Sequence, residues 1–225
     1  MNMLAIKAFA RQLFLLSAMA TLLFAVAGTL HYWQAWIFLA VYFTSSIAMI
    51  LYLLRRDPEL LARRLGGGPL AEKRTSQKII KSLTSLGFIG VILVPACDHR
   101  LAWSQLPASV ALAGDALVAL GWLAIFFVFK ENSFTSATIE LAPDQRVISS
   151  GPYALVRHPM YAGSFVMLLG SALALGSWSG VLVIVALIPV RVWRIIDEEK
   201  FLARHLPGYA AYREKVTYRL IPLVW

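Results

Sequence analysis

Two polar clusters interrupt an otherwise apolar chain. The first runs Lys130-Glu-Asn-Ser-Phe-Thr-Ser-Ala-Thr138-Ile-Glu140, then Gln145-Arg146-Val147-Ile148-Ser-Ser-Gly151-Pro152-Tyr153, then Arg157-His158-Pro159-Met160-Tyr161. The second is Arg191-Val-Trp-Arg194-Ile-Ile-Asp197-Glu198-Glu199-Lys200. Gly151-Pro152 is turn punctuation. Pro159 suits the first position of a helix, where its missing N–H costs nothing. His158 then lies at the helix mouth, whose free N–H groups attract an anion. Arg157 adds positive charge there, and the faces of Tyr153 and Tyr161 can attract a cation. Arg194 and Glu198 are i,i+4 neighbours on one helix face. Taken singly, these residues also read as interfacial snorkelling side chains, an aromatic belt and an exposed ion pair. The whole string, followed by an apolar hairpin and an acidic pair, favours chemistry.

The elements that position these clusters are membrane spans. The chain has 225 residues, of which 59% are hydrophobic and 15% charged, with a mean hydropathy of +0.69. A soluble domain carries about 25% charge. The composition therefore excludes a disordered chain and argues against a soluble enzyme. Apolar runs of spanning length fall at roughly 13–30, 33–54, 79–97 and 108–129, with shorter ones at 160–176 and 178–193 joined at Gly176-Ser177. The last two read as a helical hairpin, so the two polar clusters converge at one end of it. The expected fold is all-α and polytopic, with about six transmembrane helices. Residues 1–129 form a four-span region, and 130–225 a C-terminal region that carries both polar clusters. The first span resembles a signal peptide in outline but reads as uncleaved.

Twenty of the 21 Lys and Arg residues fall on one side of this topology, with only Arg100 opposite. That bias places both termini and the candidate site in the cytoplasm. The net charge of +9 is thereby topology and lipid-headgroup contact, not nucleic-acid binding. One cysteine, Cys97, and four scattered histidines give neither a disulfide nor metal-ligand spacing. The loop after the second span should cap that helix and begin a short surface helix at Pro58, with Gly66-Gly67-Gly68-Pro69 as a flexible break. Asp115 lies inside the fourth span, on the side away from the polar clusters, where a structural role is expected. Trp103, Trp122, Trp178 and Trp193 read as interface anchors.

The C-terminal region resembles the isoprenylcysteine carboxyl methyltransferase family and its relatives among membrane phospholipid methyltransferases. The matching residues are Val147-Ile-Ser-Ser-Gly-Pro-Tyr153, Arg157-His-Pro-Met-Tyr161-x-Gly163, Asp197-Glu-Glu199-x-x-Leu202, Leu206-Pro-Gly208-Tyr209-x-x-Tyr212 and Arg219-Leu-Ile-Pro222. The resemblance implies an S-adenosylmethionine-dependent integral membrane methyltransferase. It assigns Thr138, Gln145, Arg146, Val147, Ile148, Tyr153, His158, Pro159, Met160, Tyr161 and Glu198 to the cofactor. Thr138 stands where some members have glutamine. Arg194 corresponds to the arginine given to the substrate, so Arg194 and Glu198 are the expected catalytic pair.

The residue chemistry agrees. A tyrosine face can stabilise a sulfonium, and Glu198 can pair with an ammonium. A carboxylate acceptor needs no general base, and Arg194 could hold it bidentately. The expected function is methyl transfer to a lipophilic or lipidated membrane-borne acceptor, with a carboxylate favoured over an amine or thiol. The alternatives are an NADPH-dependent reductase of the sterol-reductase type, which carries a similar His-Pro-x-Tyr, and a non-catalytic membrane binding protein.

Overall fold

The computed structural model describes residues 3–67, 71–72, 74–142 and 144–225. Among these are eight α-helices: α1 Met3–Ala27, α2 Trp33–Arg56, α3 Pro58–Leu65, α4 Thr75–Leu101, α5 Ala108–Glu131, α6 Pro159–Ala174, α7 Trp178–His205 and α8 Tyr209–Lys215. Five of them, α1, α2, α4, α5 and α7, are long and apolar enough to cross a membrane. The sixth expected span is the 16-residue α6. At 1.5 Å per residue it runs about 24 Å, short of the roughly 30 Å hydrocarbon core. The 28-residue α7 runs about 42 Å, so its last turns project beyond that core. The excess is about 12 Å, so Glu198 and Glu199 begin the projecting part and Arg194 lies about one turn inside the core.

Short α3 forms where the sequence predicts it. The Asp57 side chain accepts from the Leu60 N–H at 2.9 Å, and Pro58 takes the first helical position. Both features start a helix cheaply. The glycine break expected at 66–69 lies partly outside the described residues.

Helix α6 packs most extensively on α5. Gly114 and Gly121 of α5 face Gly163 and Gly170 of α6, and a Cβ added at Gly121 would stand 2.7 Å from the Met167 nitrogen. Small residues let membrane helices approach closely. This contact seats the N-terminus of α6, and with it the His158–Tyr161 string, against α5. Trp122 of α5 is not an interface anchor: it packs edge-on to Tyr42 at 5.5 Å within the core. Trp103, Trp178 and Trp193 are exposed.

The far end of the bundle is tied by Asp98 of α4. Its buried carboxylate accepts from the Ser104 N–H at 2.7 Å and from the Ser177 hydroxyl at 2.6 Å. This closes the α6–α7 hairpin over α4. Asp115 is buried, and neither of its carboxylate oxygens has a hydrogen-bond partner among the described residues.

Candidate active site

The end of the bundle opposite Asp98 holds a cleft built from four pieces of chain. The loop after α5 supplies Asn132 to Ile148. A 3₁₀ turn, Gly151–Ala154, supplies Tyr153, and the start of α6 supplies His158 to Tyr161. The last turns of α7 and helix α8 supply Glu198, Leu202, Tyr209 and Tyr212. Thr138, Gln145, Arg146, Val147, Ile148, Tyr153, His158, Pro159, Met160, Tyr161 and Glu198 all line this one cleft. Arg194 does not. It lies behind Tyr161 and borders a neighbouring cavity.

Local sequence explains the geometry at α6. His158 is the N-cap with Pro159 next. The His158 N–H donates to the Arg219 carbonyl at 2.9 Å, and the Arg157 N–H to the Tyr218 carbonyl at 2.9 Å. The C-terminal segment is thereby strapped across the helix mouth. Arg157 completes the strap: its Nε donates to Glu199 at 2.7 Å, and its Nη1 to the Val216 carbonyl at 2.9 Å and the Thr217 carbonyl at 3.1 Å. Arg157 is therefore not a free positive charge for a ligand anion. Glu199 neutralises it in the protein interior.

Glu199 is the buried hub beneath the cleft. It also receives the Arg219 Nε at 3.1 Å and lies 3.2 Å from the His158 Nε2. Burial works against its ionisation, but His158, Arg157 and Arg219 outweigh that and hold its carboxyl down to about 2. One residue earlier, Glu198 faces the cleft and accepts the Tyr161 hydroxyl at 2.7 Å. Arg194 and Glu198, which share a helix face, form no direct ion pair. The Arg194 Nε donates to the Tyr161 oxygen at 3.3 Å, its Nη2 lies 2.8 Å from Glu72, and its Nη1 donates to Gln77. Tyr161 thus links Arg194 to Glu198. With its fork engaged by Glu72, Gln77 and Tyr161, Arg194 is arranged to position Tyr161 rather than to clamp a ligand.

Several cleft residues had no assigned role in the sequence. Asn132 donates to the Tyr153 hydroxyl at 3.0 Å, and Tyr212 donates to the Tyr153 carbonyl at 2.7 Å. Burial pushes the Tyr153 phenol up, and the Tyr212 phenol up to about 12. Both therefore stay neutral hydrogen-bonding groups. The Tyr209-x-x-Tyr212 spacing puts both rings on one face of α8, a signal available from the sequence. Two hydroxyls in the cleft wall, those of Tyr209 and Thr135, are buried without a partner among the described residues. Unpaired buried hydroxyls are costly unless a ligand completes them. They suit a polar ligand, and Glu198 is placed to receive a cationic part of it. Among the described residues no group of His, Cys, Asp or Glu could hold a metal ion.

This cleft falls largely within a recognisable sequence unit. The sequence model for phospholipid methyltransferases matches residues 110–208. The protein-S-isoprenylcysteine O-methyltransferase of Schizosaccharomyces pombe is 37% identical over 87 residues, which are 36% of this chain and 35% of that protein. The Delta(14)-sterol reductase of Mus musculus is 33% identical over 93 residues, 39% of this chain and 22% of that protein. The chain thus spans about a third or less of the length of these curated relatives. The segment that carries most of α5, the cleft loop, α6 and α7 is thus similar to the phospholipid methyltransferases, and the chain is similar over part of its length to an isoprenylcysteine O-methyltransferase.

Proposed function

We infer that this protein transfers a methyl group from S-adenosylmethionine to a lipophilic, membrane-borne acceptor. The observation that carries this reading is the cleft itself: the Glu198 carboxylate, held by the Tyr161 hydroxyl at 2.7 Å, beside aromatic walls and two buried hydroxyls without a partner among the described residues. S-adenosylmethionine supplies an electrophilic methyl on a sulfonium. The residues present suit that charge pattern. Glu198 pairs with the ammonium, and the Tyr153 and Tyr161 rings offer faces to the sulfonium. The Tyr209 and Thr135 hydroxyls serve the cofactor's uncharged polar edges and its carboxylate.

A carboxylate oxygen is the acceptor that asks least of the site. Its lone pair forms the new O–CH3 bond as the S–CH3 bond breaks, leaving a neutral thioether and no proton to remove. The chain's contribution is then placement and exclusion of water. Arg194 acts as a positioning residue. It fixes the Tyr161 oxygen, and so the orientation of Glu198. The lysine and arginine bias supports a cytoplasmic position for this end of the bundle, where the cofactor is available.

The similarity to a sterol reductase supports a second reading, in which the same cleft takes NADPH. One titration separates them. Purified protein should bind S-adenosylhomocysteine and not NADPH by calorimetry. The reverse result would replace the methyltransferase reading with the reductase one.

A further inference from the structure

The connection from α5 to the 3₁₀ turn, residues 132–150, forms neither helix nor strand among the described residues. Connections longer than about 12–15 residues are uncommon in compact domains and are usually functional. This one supplies one wall of the cleft. Its backbone is held from outside, by α3 and α4. Arg64 donates to the Ser136 carbonyl at 2.7 Å, Arg63 to the Ser133 carbonyl and Lys81 to the Ala137 carbonyl. Charged donors make the stronger kind of hydrogen bond. Gly67, just after α3, lies so near the loop that an added Cβ would stand 2.3 Å from the Ala137 Cβ.

One further contact runs the other way. Glu72, buried between α3 and α4, accepts the Ile139 N–H on Oε2 at 3.4 Å. Its Oε1 lies 2.8 Å from the Arg194 Nη2. Arg194 donates to the Tyr161 oxygen, and the Tyr161 hydroxyl to Glu198. A single carboxylate thus touches both walls of the cleft. It meets the loop wall at Ile139, beside Thr138, and the helix wall through Arg194, Tyr161 and Glu198. Glu72 itself stands outside the cleft lining. Stability alone does not account for it. The Glu72 and Arg194 side chains are 2% and 8% exposed, and a buried ion pair is seldom more stable than apolar residues of the same volume. Its placement across two walls is the feature that needs a reason.

We propose that Glu72 is a positioning residue that couples the cleft loop to Glu198, with Arg63, Arg64 and Lys81 holding the loop on which it acts. All four residues precede the matched segment 110–208. The geometry of the cleft is therefore completed by a part of the chain outside that segment. The loop and Glu198 reach binding geometry together, and a ligand that orders one wall orders the other, because coupling between two sites is reciprocal. The proposal rests on the methyltransferase reading for the identity of the ligand alone.

The test uses the full chain in phosphatidylcholine nanodiscs, read by amide hydrogen exchange and by calorimetric titration with S-adenosylhomocysteine. In Glu72→Gln the one remaining oxygen can serve Arg194 or the Ile139 N–H but not both. Without ligand, the amides of residues 133–140 should then exchange about tenfold faster than in the parent. Glu72→Asp keeps a counter-charge for Arg194 but is one methylene too short to reach both partners, so the same amides should speed up there even if Glu72→Gln fails to fold. Parental exchange in either folded variant overturns the proposal. On adding S-adenosylhomocysteine, the parent should gain protection in peptides containing Glu72, although that residue stands outside the cleft lining. Protection confined to lining residues overturns the coupling. Affinity should fall about tenfold or more in Glu72→Gln. Combined with Tyr161→Phe, it should fall no further than in the worse single variant, since both act on Glu198 by one route. Losses that multiply overturn that route. A parent that does not bind S-adenosylhomocysteine sinks the methyltransferase reading, while the ligand-free exchange still decides the role of Glu72.

Discussion

Glu198 and Glu199 are neighbours in sequence with opposite environments: Glu198 accepts the Tyr161 hydroxyl at 2.7 Å on the cleft wall, while Glu199 accepts Arg157 at 2.7 Å beneath it. A helix turns about 100° per residue, so one residue can face a ligand while the next anchors the fold. Substitutions at the two positions should separate binding from stability.

Glu198→Gln keeps the shape and removes the charge. A charge-assisted hydrogen bond contributes roughly 1.5–3 kcal/mol. Affinity for S-adenosylhomocysteine should fall about tenfold or more in calorimetry, with thermal stability nearly unchanged. Parental affinity in this variant would mean that Glu198 does not pair with the ammonium.

Glu199→Gln leaves Arg157 and Arg219 with a weakened partner in a site where the Arg157 and Glu199 side chains are only 5% and 4% exposed. Breaking a buried pair typically costs about 3–5 kcal/mol. The strapped segment after Tyr212 should become protease-sensitive, which limited proteolysis can read. The pH dependence follows from the same residue. Its folded pKa, about 2, lies below the ordinary 4.5. Its contribution is therefore fully present above pH 4.5 and is lost as pH falls toward 2. In Glu199→Gln this acid limb of the stability curve should flatten.

Tyr161→Phe removes the hydroxyl that links Arg194 to Glu198. Arg194→Lys retains charge but cannot serve Glu72, Gln77 and Tyr161 from one planar fork. Both variants should reduce S-adenosylhomocysteine affinity and turnover together, by similar factors, because each frees Glu198. Were Arg194 instead a clamp on the acceptor, Arg194→Lys would lower turnover and leave cofactor affinity intact.

Gly121→Leu should disrupt the α5–α6 contact. Its Cβ alone would lie 2.8 Å from the Gly163 carbonyl and 2.7 Å from the Met167 nitrogen. Overpacking costs about 1–3 kcal/mol. Because α6 carries His158 to Tyr161, melting temperature and cofactor affinity should fall together. Loss of neither would mean that the two helices separate without displacing the cleft.

Orientation can be read with Cys97 first replaced. Gln105, exposed between α4 and α5, is better suited to labelling than Ser104, which bonds Asp98. A cysteine at Gln105 should react with an impermeant thiol reagent from outside the cell, and one at Thr75 should not. The reversed pattern would put the cleft on the side without cytosolic cofactor.

What the sequence determined by itself is local or set by the bilayer. Long apolar runs place α1, α2, α4, α5 and α7 because no water in the bilayer core can satisfy an open backbone. Asp57-Pro58 and His158-Pro159 mark helix starts, since caps depend on a few adjacent residues. The convergence of the His158–Tyr161 and Arg194–Glu199 clusters was legible too, because a tight turn at Gly176 leaves a hairpin little choice. The partners were not. Whether Glu198 or Glu199 faces the cleft depends on the rotation of α7 against α6. That Arg194 meets Glu72 and Gln77 depends on how α7 packs against α4 and the chain before it. Charged side chains far apart in the chain carry no periodic signal of one another. Only the tertiary structure decides which are neutralised inside the protein and which keep donors for a ligand.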